Sequence, residues 1–220
     1  MGDPLSLRES SGEQPLPRRF WRLDLAERGR PGRERLERFV EARFEEAFGA
    51  QVRGHYPILT GLNGLDGAPR AAAGVRFAEA EPLFLERYLD APVETCLASA
   101  FETPVSRDSV VEIGSLASVS APATLELFGI LAGWLASTHA RRFAVATLRP
   151  DLARLLSRAG FGLRRIGAAD PARVEDAART WGDYYRQAPQ VYAGEIRLPA
   201  PLGLLRARRA PVAELRSVAS

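Results

Sequence analysis

A single carboxylate, Glu112, interrupts a run of residues that is typical of a buried strand. The run contains Val110, Val111, Ile113 and Leu116, and β-branched residues favour strands. A buried carboxylate is costly unless it is paired or used. Apolar neighbours also raise the pKa of a carboxyl group, which suits a general base. Glu112 is therefore either a proton acceptor in a reaction or a structural carboxylate paired with one of the many arginines.

The stretch after this strand predicts a place for an anion or for a developing negative charge. A turn of small residues, Ala117–Ala121, leads into an apolar helix over Ala123–His139, and Pro122 suits the first turn of a helix. Free backbone N–H groups at a helix N-terminus bind phosphates, amide carbonyls or oxyanions. The candidate binding residues are Leu116, Ala117, Ser118, Ser120 and Ala121. Alternatively, Ser118 and Ser120 are ordinary helix caps.

Further candidates lie on either side of this unit. Ser115 is a possible proton relay or a buried serine satisfied by the backbone. Arg76 could orient a carboxylate or phosphate, or lie on the surface. Phe84 and Tyr88 could line a substrate pocket or pack in the core. Tyr184 is a candidate general acid, or it covers an edge of the sheet together with its aromatic neighbours.

Composition and motifs exclude several classes of protein. A net charge of +3 does not predict nucleic-acid binding. A single cysteine and two distant histidines argue against a metal site. No nucleophile elbow or Walker loop is present. The N-terminus lacks the apolar core of a signal peptide, and no apolar stretch is long enough for a stable membrane span, so we expect a cytoplasmic protein.

Hydrophobic periodicity predicts one domain over residues 20–198, between a disordered leader at 1–19 and a loose Pro- and Arg-containing tail at 199–220. Helices are predicted over Glu34–Phe48, Arg149–Ala159 and Ala172–Tyr185, in addition to the helix after Glu112. An antiparallel meander followed by a βαβ crossover describes an α/β (α+β) fold, with a mixed, mostly antiparallel sheet and helices on both faces. This is the order of the GNAT-like acyltransferase fold.

Five dispersed segments resemble the thermostable hemolysin family, and they occur in the same order. They are Tyr56–Leu62, Ala71–Arg76, Glu81–Asp90, Val111–Ser118 and the late run from Trp181 to Ile196. The resemblance implies a relation to the autoinducer synthases among the GNAT-like acyltransferases. Those enzymes carry a strand glutamate in a Glu-x-Ser-Arg pattern. Glu112 fits that pattern, but Ser115 is displaced by one position, the Arg is absent, and the usual glycine-containing acyl-CoA turn is also missing.

The resemblance implies an N-acyltransferase that moves an acyl group from a thioester donor to a small amine or amino acid. Glu112 would prepare the amine, and the amides of Leu116 and Ala117 would polarise the thioester carbonyl. No tightly bound cofactor is expected, and the co-substrate is either acyl-CoA or an acyl carrier protein. Seven arginines in the second half suit the acidic groups of either donor or form a solvated face: Arg141, Arg142, Arg149, Arg154, Arg158, Arg164 and Arg165. The alternative is a membrane-active hemolysin without enzymatic activity.

Overall fold

The computed structural model describes residues 22–197. The predicted leader at 1–19 and tail at 199–220 lie outside the described residues. Seven strands and five α-helices follow one another in this order: β1 Arg22–Glu27, α1 Arg33–Phe48, β2 Ile58–Asn63, β3 Pro69–Phe77, α2 Val93–Phe101, β4 Val110–Ser118, α3 Ala121–His139, β5 Phe143–Leu148, α4 Pro150–Arg158, β6 Leu163–Ala168, α5 Ala177–Trp181 and β7 Gln190–Glu195. A 3-10 turn over Phe84–Tyr88 precedes α2 and becomes important for the site.

All seven strands form one sheet, in the order β1-β2-β3-β4-β5-β7-β6. Only the β4–β5 pair is parallel, and the other neighbouring pairs are antiparallel. The parallel pair is joined through α3, as a crossover connection requires. The prediction of a mixed, mostly antiparallel sheet is confirmed.

Helices cover both faces of the sheet, because successive strand residues point to opposite sides. Leu127, Leu131 and Leu135 of α3 pack with Val111 and its neighbours on one face. On the opposite face, α1 packs against the first strands, and α2 packs against the later ones. The GNAT-like acyltransferase fold predicted from the element order is confirmed.

A β-bulge in β4 is the feature that shapes the centre of the molecule. Gly74 of β3 lies opposite Gly114, whereas Ala72 lies opposite Ala117, so β4 has one extra residue in this interval. Ser115 lies inside the bulge, with a backbone φ of 47°. A bulge bends its strand and reverses the alternation of its side chains. The second half of β4 is therefore aimed differently from the first half.

Two predicted boundaries were wrong. Ala117 and Ser118 belong to β4 rather than to a turn, because they continue the ladder with β3 after the bulge. The predicted helix over Ala172–Tyr185 is broken into short pieces, and Gly182 adopts a left-handed φ of 52° between them. A Cβ at Gly182 would lie 2.1 Å from the carbonyl oxygen of Phe48, so the end of α1 interrupts this helix.

Among residues 22–197, no helix combines the length and the hydropathy needed to cross a bilayer. The same part of the chain contains no group of three or more His, Cys, Asp or Glu side chains arranged to hold a metal ion.

Candidate active site

A cleft opens where β4 and β5 separate. Their pairing consists of three residue pairs and ends at Glu112 opposite Val145. Both strands continue beyond this point, β4 to Ser118 and β5 to Leu148. The edge of β4 that faces β5 therefore borders the cleft instead of a neighbouring strand. The cleft has a volume of about 380 Å³, within the range of small-molecule sites.

Ten of the twelve residues predicted for the site line this one cleft. They are Ser115, Leu116, Ala117, Ser118, Ser120, Ala121, Arg149, Phe84, Tyr88 and Tyr184. The other two, Glu112 and Arg76, lie behind its wall. The fold thus brings most of the predicted residues together from four separate parts of the chain.

Glu112 is buried, with a side chain that is 2% exposed, and it is not part of the cleft lining. Its two carboxylate oxygens accept hydrogen bonds from the backbone N–H groups of Phe84 (2.8 Å) and Leu85 (3.0 Å), at the start of the 3-10 turn. Burial raises the pKa of Glu112, and the Phe84 amide, Arg76, Tyr56 and the Leu85 amide oppose that rise. The sequence predicts that Glu112 contacts a substrate directly. In this structure, the Glu112 side chain does not reach the cleft.

Arg76 lies directly opposite Glu112 in the β3–β4 register. Its Nη1 atom is 4.0 Å from Glu112 Oε2, whereas its Nε atom is 3.2 Å from Glu81 Oε1. Nη1 also donates to the carbonyl of Pro82. Arg76 therefore contributes positive charge beside Glu112 without clamping it, and it is held outside the cleft by Glu81 and Pro82.

Tyr56 separates Glu112 from the cleft. Its ring lines the cleft and packs across two facing glycines, Gly74 and Gly114. A Cβ at Gly74 would lie 2.4 Å from Tyr56 Cγ, and a Cβ at Gly114 would lie 2.0 Å from the hydroxyl oxygen. Gly114 follows Glu112 by two residues, on the same face of β4. The Tyr56 hydroxyl and the Glu112 carboxylate are close enough to shift each other's pKa: Glu112 raises the pKa of Tyr56, and Tyr56 lowers that of Glu112.

The backbone before β2 holds Tyr56 in place. Arg33, which is 5% exposed, donates from its guanidinium to the carbonyl oxygens of Tyr56 (2.7 Å), Pro57 (2.9 Å) and Ala26 (3.0 Å). Its Nε donates to Glu37 on the next turn of α1. Four acceptors satisfy this buried cation, so the segment that carries Tyr56 is fixed to the start of α1.

Ser115 has an unusual environment for a serine. It is the bulge residue with positive φ, its side chain is buried, and its hydroxyl has no hydrogen-bond partner among the described residues. Strained backbone and unsatisfied buried polar atoms concentrate at functional sites. Ser115 also lines the cleft, so an unpartnered buried hydroxyl lies in the cleft wall.

The start of α3 forms one end of the cleft. Ser120 is the N-cap, and its hydroxyl accepts a hydrogen bond from the N–H of Ala123 (3.4 Å). The hydroxyl of Ser118 donates to the carbonyl of Ser120 (2.8 Å). Both serines thus serve the local backbone, as the capping alternative proposed. A helix of 19 residues still directs its positive end at the cleft.

Arg149 contributes a cation at the same end. It precedes α4, lies over the ring of Phe48 and pairs with Asp151 (3.1 Å). Of the seven arginines grouped in the sequence, Arg154 and Arg158 have no ion-pair or hydrogen-bond partner within residues 22–197, and both are exposed on α4. Arg149 is the one of these seven that lines the cleft, so the positive charge at this end comes from Arg149 and from the start of α3.

Aromatic side chains form the wall opposite β4. Phe44, Phe48, Phe84, Trp181 and the tyrosines of the late 3-10 turn are in ring contact with one another. The Tyr88 and Tyr185 hydroxyl oxygens are 2.6 Å apart, and Tyr184 donates to the carbonyl of Thr147 (3.2 Å). Burial raises the pKa of Tyr184, which therefore remains protonated at neutral pH.

The 3-10 turn that holds Glu112 is itself braced by Glu86. This carboxylate accepts from the N–H groups of Leu83 (2.9 Å) and Val93 (3.1 Å) and from Arg107 (2.7 and 2.8 Å). The Arg107 guanidinium is the main cause that lowers the pKa of Glu86 to about 2. A surface-side ion pair thus fixes the two amides that bind the buried carboxylate.

A second cavity of about 710 Å³ lies beyond the back wall of the cleft. The two cavities share the side chains of Ile113, Phe128 and Leu148. Most of the second cavity's lining is apolar, with small residues from α3 and β5, including Gly129, Ala132, Ala144 and Ala146. An apolar space therefore adjoins the polar cleft.

The sequence analysis did not identify Tyr56 as a site residue. Tyr56 appeared there only as the first residue of a segment that resembles the family. The available signal was one glycine in each of two quoted segments: Gly74 in Ala71–Arg76 and Gly114 in Val111–Ser118. Facing glycines in a sheet often mark the close approach of another group. The identity of that group required a contact between residues far apart in the chain.

Solved structures of similar fold include acyl-homoserine lactone synthases and an N-acyl amino acid synthase. The acyl-homoserine lactone (AHL) synthase LasI is 14% identical, with a TM-score of 0.55 over 81% of this chain and 91% of LasI. FeeM, an N-acyl amino acid synthase from uncultured soil microbes, is 15% identical, with a TM-score of 0.52 over 82% of this chain and 92% of FeeM. The CoA-dependent acyl-homoserine lactone synthase MesI is 14% identical, with a TM-score of 0.50 over 80% of this chain and 89% of MesI.

No curated protein matches the sequence significantly. The family comparison is decisive, because residues 26–199 match the thermostable hemolysin family. That match spans nearly all the described residues and every element of the cleft. The chain belongs to the thermostable hemolysin family.

Proposed function

We propose that this protein is an N-acyltransferase that moves a long acyl group from a thioester donor to a small amine. The observation that carries the proposal is the cleft between β4 and β5, with a proton-accepting carboxylate behind one wall and an apolar cavity behind another. Acyl transfer to an amine needs a thioester site, a place for the chain and a proton acceptor. LasI, FeeM and MesI share the fold, and their descriptions name acyl-homoserine lactone or N-acyl amino acid synthesis.

The donor's phosphate-bearing arm would lie at the start of α3. The positive end of that helix and the guanidinium of Arg149 provide attraction for the anionic end of the donor. Coenzyme A and the phosphopantetheine of an acyl carrier protein both fit this chemistry. Arg154 and Arg158 are exposed on α4, the helix that begins at this end of the cleft, and they favour an acidic donor of either kind.

The thioester carbonyl would lie against the bulge of β4. Leu116 and Ala117 line the cleft, on the part of β4 that no longer pairs with β5, and their backbone amides are the proposed donors. Amides that are fixed by a strand stabilise an oxyanion without reorganisation during the reaction. The unpartnered hydroxyl of Ser115 is a further donor at the same bend.

The acyl chain would enter the second cavity between α3, α4 and the later strands. Its volume and apolar lining suit a hydrocarbon chain rather than an acetyl group. Each methylene buried there contributes about 0.8 kcal/mol to binding. The cavity therefore favours donors with long chains.

The acceptor amine would lie between the β4 bulge and the aromatic wall. Aromatic faces attract cations such as an ammonium group, with about 0.5–2 kcal/mol per contact. Attack on the thioester requires a neutral amine, so a proton must leave. Glu112, with its raised pKa, is the proposed final acceptor of that proton.

The proposal is tested by mass spectrometry of lipids from a bacterial host that expresses either the wild-type protein or Glu112→Gln. We expect a new acylated amine with the wild type and a loss of about 10²-fold or more in the variant. Equal amounts from both proteins would leave Glu112 with a structural role. No new lipid in either host would contradict the proposed function.

The alternative is direct membrane activity, and it has its own experiment. Purified protein is added to dye-loaded phosphatidylcholine vesicles without any thioester. We expect no release of dye, because the proposed activity needs an acyl donor. Lysis by the protein alone, equal in wild type and Glu112→Gln, would favour the membrane-active alternative.

A further inference from the structure

Glu112 has no opening to the cleft, and this raises the question of how a proton from the amine would reach it. Its side chain is 2% exposed, and its oxygens are held by the amides of Phe84 and Leu85. Neither of the two cavities includes Glu112 in its lining. A side chain between the cleft and the carboxylate must complete the path.

Tyr56 is the side chain in that position. It lines the cleft, and its hydroxyl is placed over Gly114, which shares the strand face of Glu112. The glycine pair Gly74 and Gly114 leaves room for the ring, and Arg33 fixes the backbone that carries it. Two glycines and a buried arginine thus determine where this one hydroxyl lies.

We infer that the Tyr56 hydroxyl is a catalytic proton relay between the acceptor amine and Glu112. In the first step, the ammonium group of the acceptor gives one proton to Tyr56 Oη, and Tyr56 passes its own hydroxyl proton to the Glu112 carboxylate. The neutral amine then forms the new bond to the thioester carbonyl carbon. When the C–S bond breaks, the thiolate leaves with the bonding electron pair and takes the second proton of the amine nitrogen, while the proton on Glu112 returns through Tyr56 to water. This inference rests on the proposed function.

The electrostatics of the pair agree with these roles. Burial, together with the nearby Glu112 charge, raises the pKa of Tyr56 well above its ordinary value, so the hydroxyl stays protonated between turnovers. Burial also raises the pKa of Glu112 and makes it a better proton acceptor. The titratable and charged groups that face Glu112 are Arg76 from β3, Tyr56, and Tyr88 from the 3-10 turn.

The test uses Tyr56→Phe, which keeps the ring across the two glycines and removes only the hydroxyl. Purified proteins are given palmitoyl-CoA with either a mixture of the common amino acids or hydroxylamine, and the products are quantified by mass spectrometry. Amino acids are largely protonated at pH 7, whereas hydroxylamine is already mostly neutral and needs less help to lose a proton. The matched control is Thr60→Val, which deletes a buried hydroxyl that bonds to the Ala73 carbonyl, away from the cleft.

We expect Tyr56→Phe to lose about 10²-fold in transfer to amino acids but to change little in transfer to hydroxylamine. Removing the hydroxyl also removes an interaction that lowers the pKa of Glu112, so the acid limb of the remaining activity should move to higher pH. Thr60→Val should retain both reactions.

The relay would be overturned if Tyr56→Phe lost transfer to both acceptors, or if it kept transfer to both. In either case, an active wild-type protein would leave the proposed function intact. If the wild-type protein transferred the acyl group to neither acceptor, that result would contradict the proposed function and, with it, the relay.

Discussion

The Tyr56 hydroxyl occupies the space in which a side chain at Gly114 would lie: a Cβ at Gly114 would be 2.0 Å from the hydroxyl oxygen and 2.4 Å from Tyr56 Cζ. The tyrosine ring is rigid, and its Cγ end lies equally close to Gly74, so it has little freedom to yield. This relationship links the backbone of β4 to the group that faces Glu112. It also offers a way to move the hydroxyl without changing Tyr56.

Gly114→Ala should displace the Tyr56 hydroxyl from Glu112 and reduce acyl transfer to amino acids about as strongly as Tyr56→Phe. Overpacking of this kind costs about 1–3 kcal/mol of unfolding free energy, which thermal or urea unfolding will measure. The double variant provides the control, because two changes that act through one hydroxyl are not additive. Losses that multiply in the double variant would show that Gly114 acts by another route.

A larger residue at Gly129 should shorten the preferred acyl chain. Gly129 and Gly133 lie one turn apart on α3, and an added Cβ at either has nothing within 4 Å, but only Gly129 lines the second cavity. Leucine improves helix propensity at both by a similar amount, about 0.8 kcal/mol. We expect Gly129→Leu to prefer octanoyl-CoA over palmitoyl-CoA and Gly133→Leu to keep the wild-type order, measured as kcat/KM. The same shift in both variants would argue against this cavity as the chain site.

The pH dependence of kcat/KM should have an acid limb above the range of an ordinary glutamate. Burial raises the pKa of Glu112 above the usual 4.5, and a base works only when ionised, so activity falls at a higher pH than for an exposed carboxylate. Arg76 opposes the rise, and its removal in Arg76→Gln should move the limb further upward. A limb that stays in place in Arg76→Gln would mean that another group controls it.

Glu86 should stabilise the fold by fixing the 3-10 turn, with a contribution that disappears in acid. Its pKa is lowered from 4.5 to about 2, chiefly by Arg107, so the contribution is present above pH 4.5 and is lost as the pH falls toward 2. We expect Glu86→Gln to reduce the free energy of unfolding by about 2 kcal/mol at pH 7. The difference from wild type should shrink in acid.

Glu94 is the matched control for this prediction, because it also binds Arg107 but holds no amide of the turn. Urea unfolding should show that Glu94→Gln reduces the free energy of unfolding by less than Glu86→Gln does. Equal losses in the two variants would assign the effect to the ion pair with Arg107 rather than to the turn.

Local patterns predicted the part of the site that is contiguous in the chain. The apolar run around Glu112 and the Ser120 cap with Pro122 in the first turn of α3 locate a strand and a helix N-terminus, and these two elements form one side of the cleft. Such signals depend on neighbours a few residues apart. The sequence therefore sufficed for most of the cleft lining on β4 and α3.

Contacts between distant residues determined what the sequence did not predict. The bulge at Ser115 has no local signal, because serine rather than glycine adopts the positive φ there. The position of Tyr56 depends on Gly74 and Gly114, and the break at Gly182 depends on the end of α1. Burial of Glu112 behind the cleft follows from the two amides of the 3-10 turn, which no periodicity reveals.

The central claim is tested most directly by incubating purified protein with palmitoyl-CoA and a small-molecule extract of bacterial cells. Two quantities are measured: the release of free CoA thiol, and the formation of new amides by mass spectrometry. The account predicts that wild type releases thiol in step with an N-acylated amine, and that Glu112→Gln forms neither at more than about one hundredth of the rate. Undiminished amide formation by Glu112→Gln, or a folded wild-type protein that forms no amide from this mixture, would contradict it.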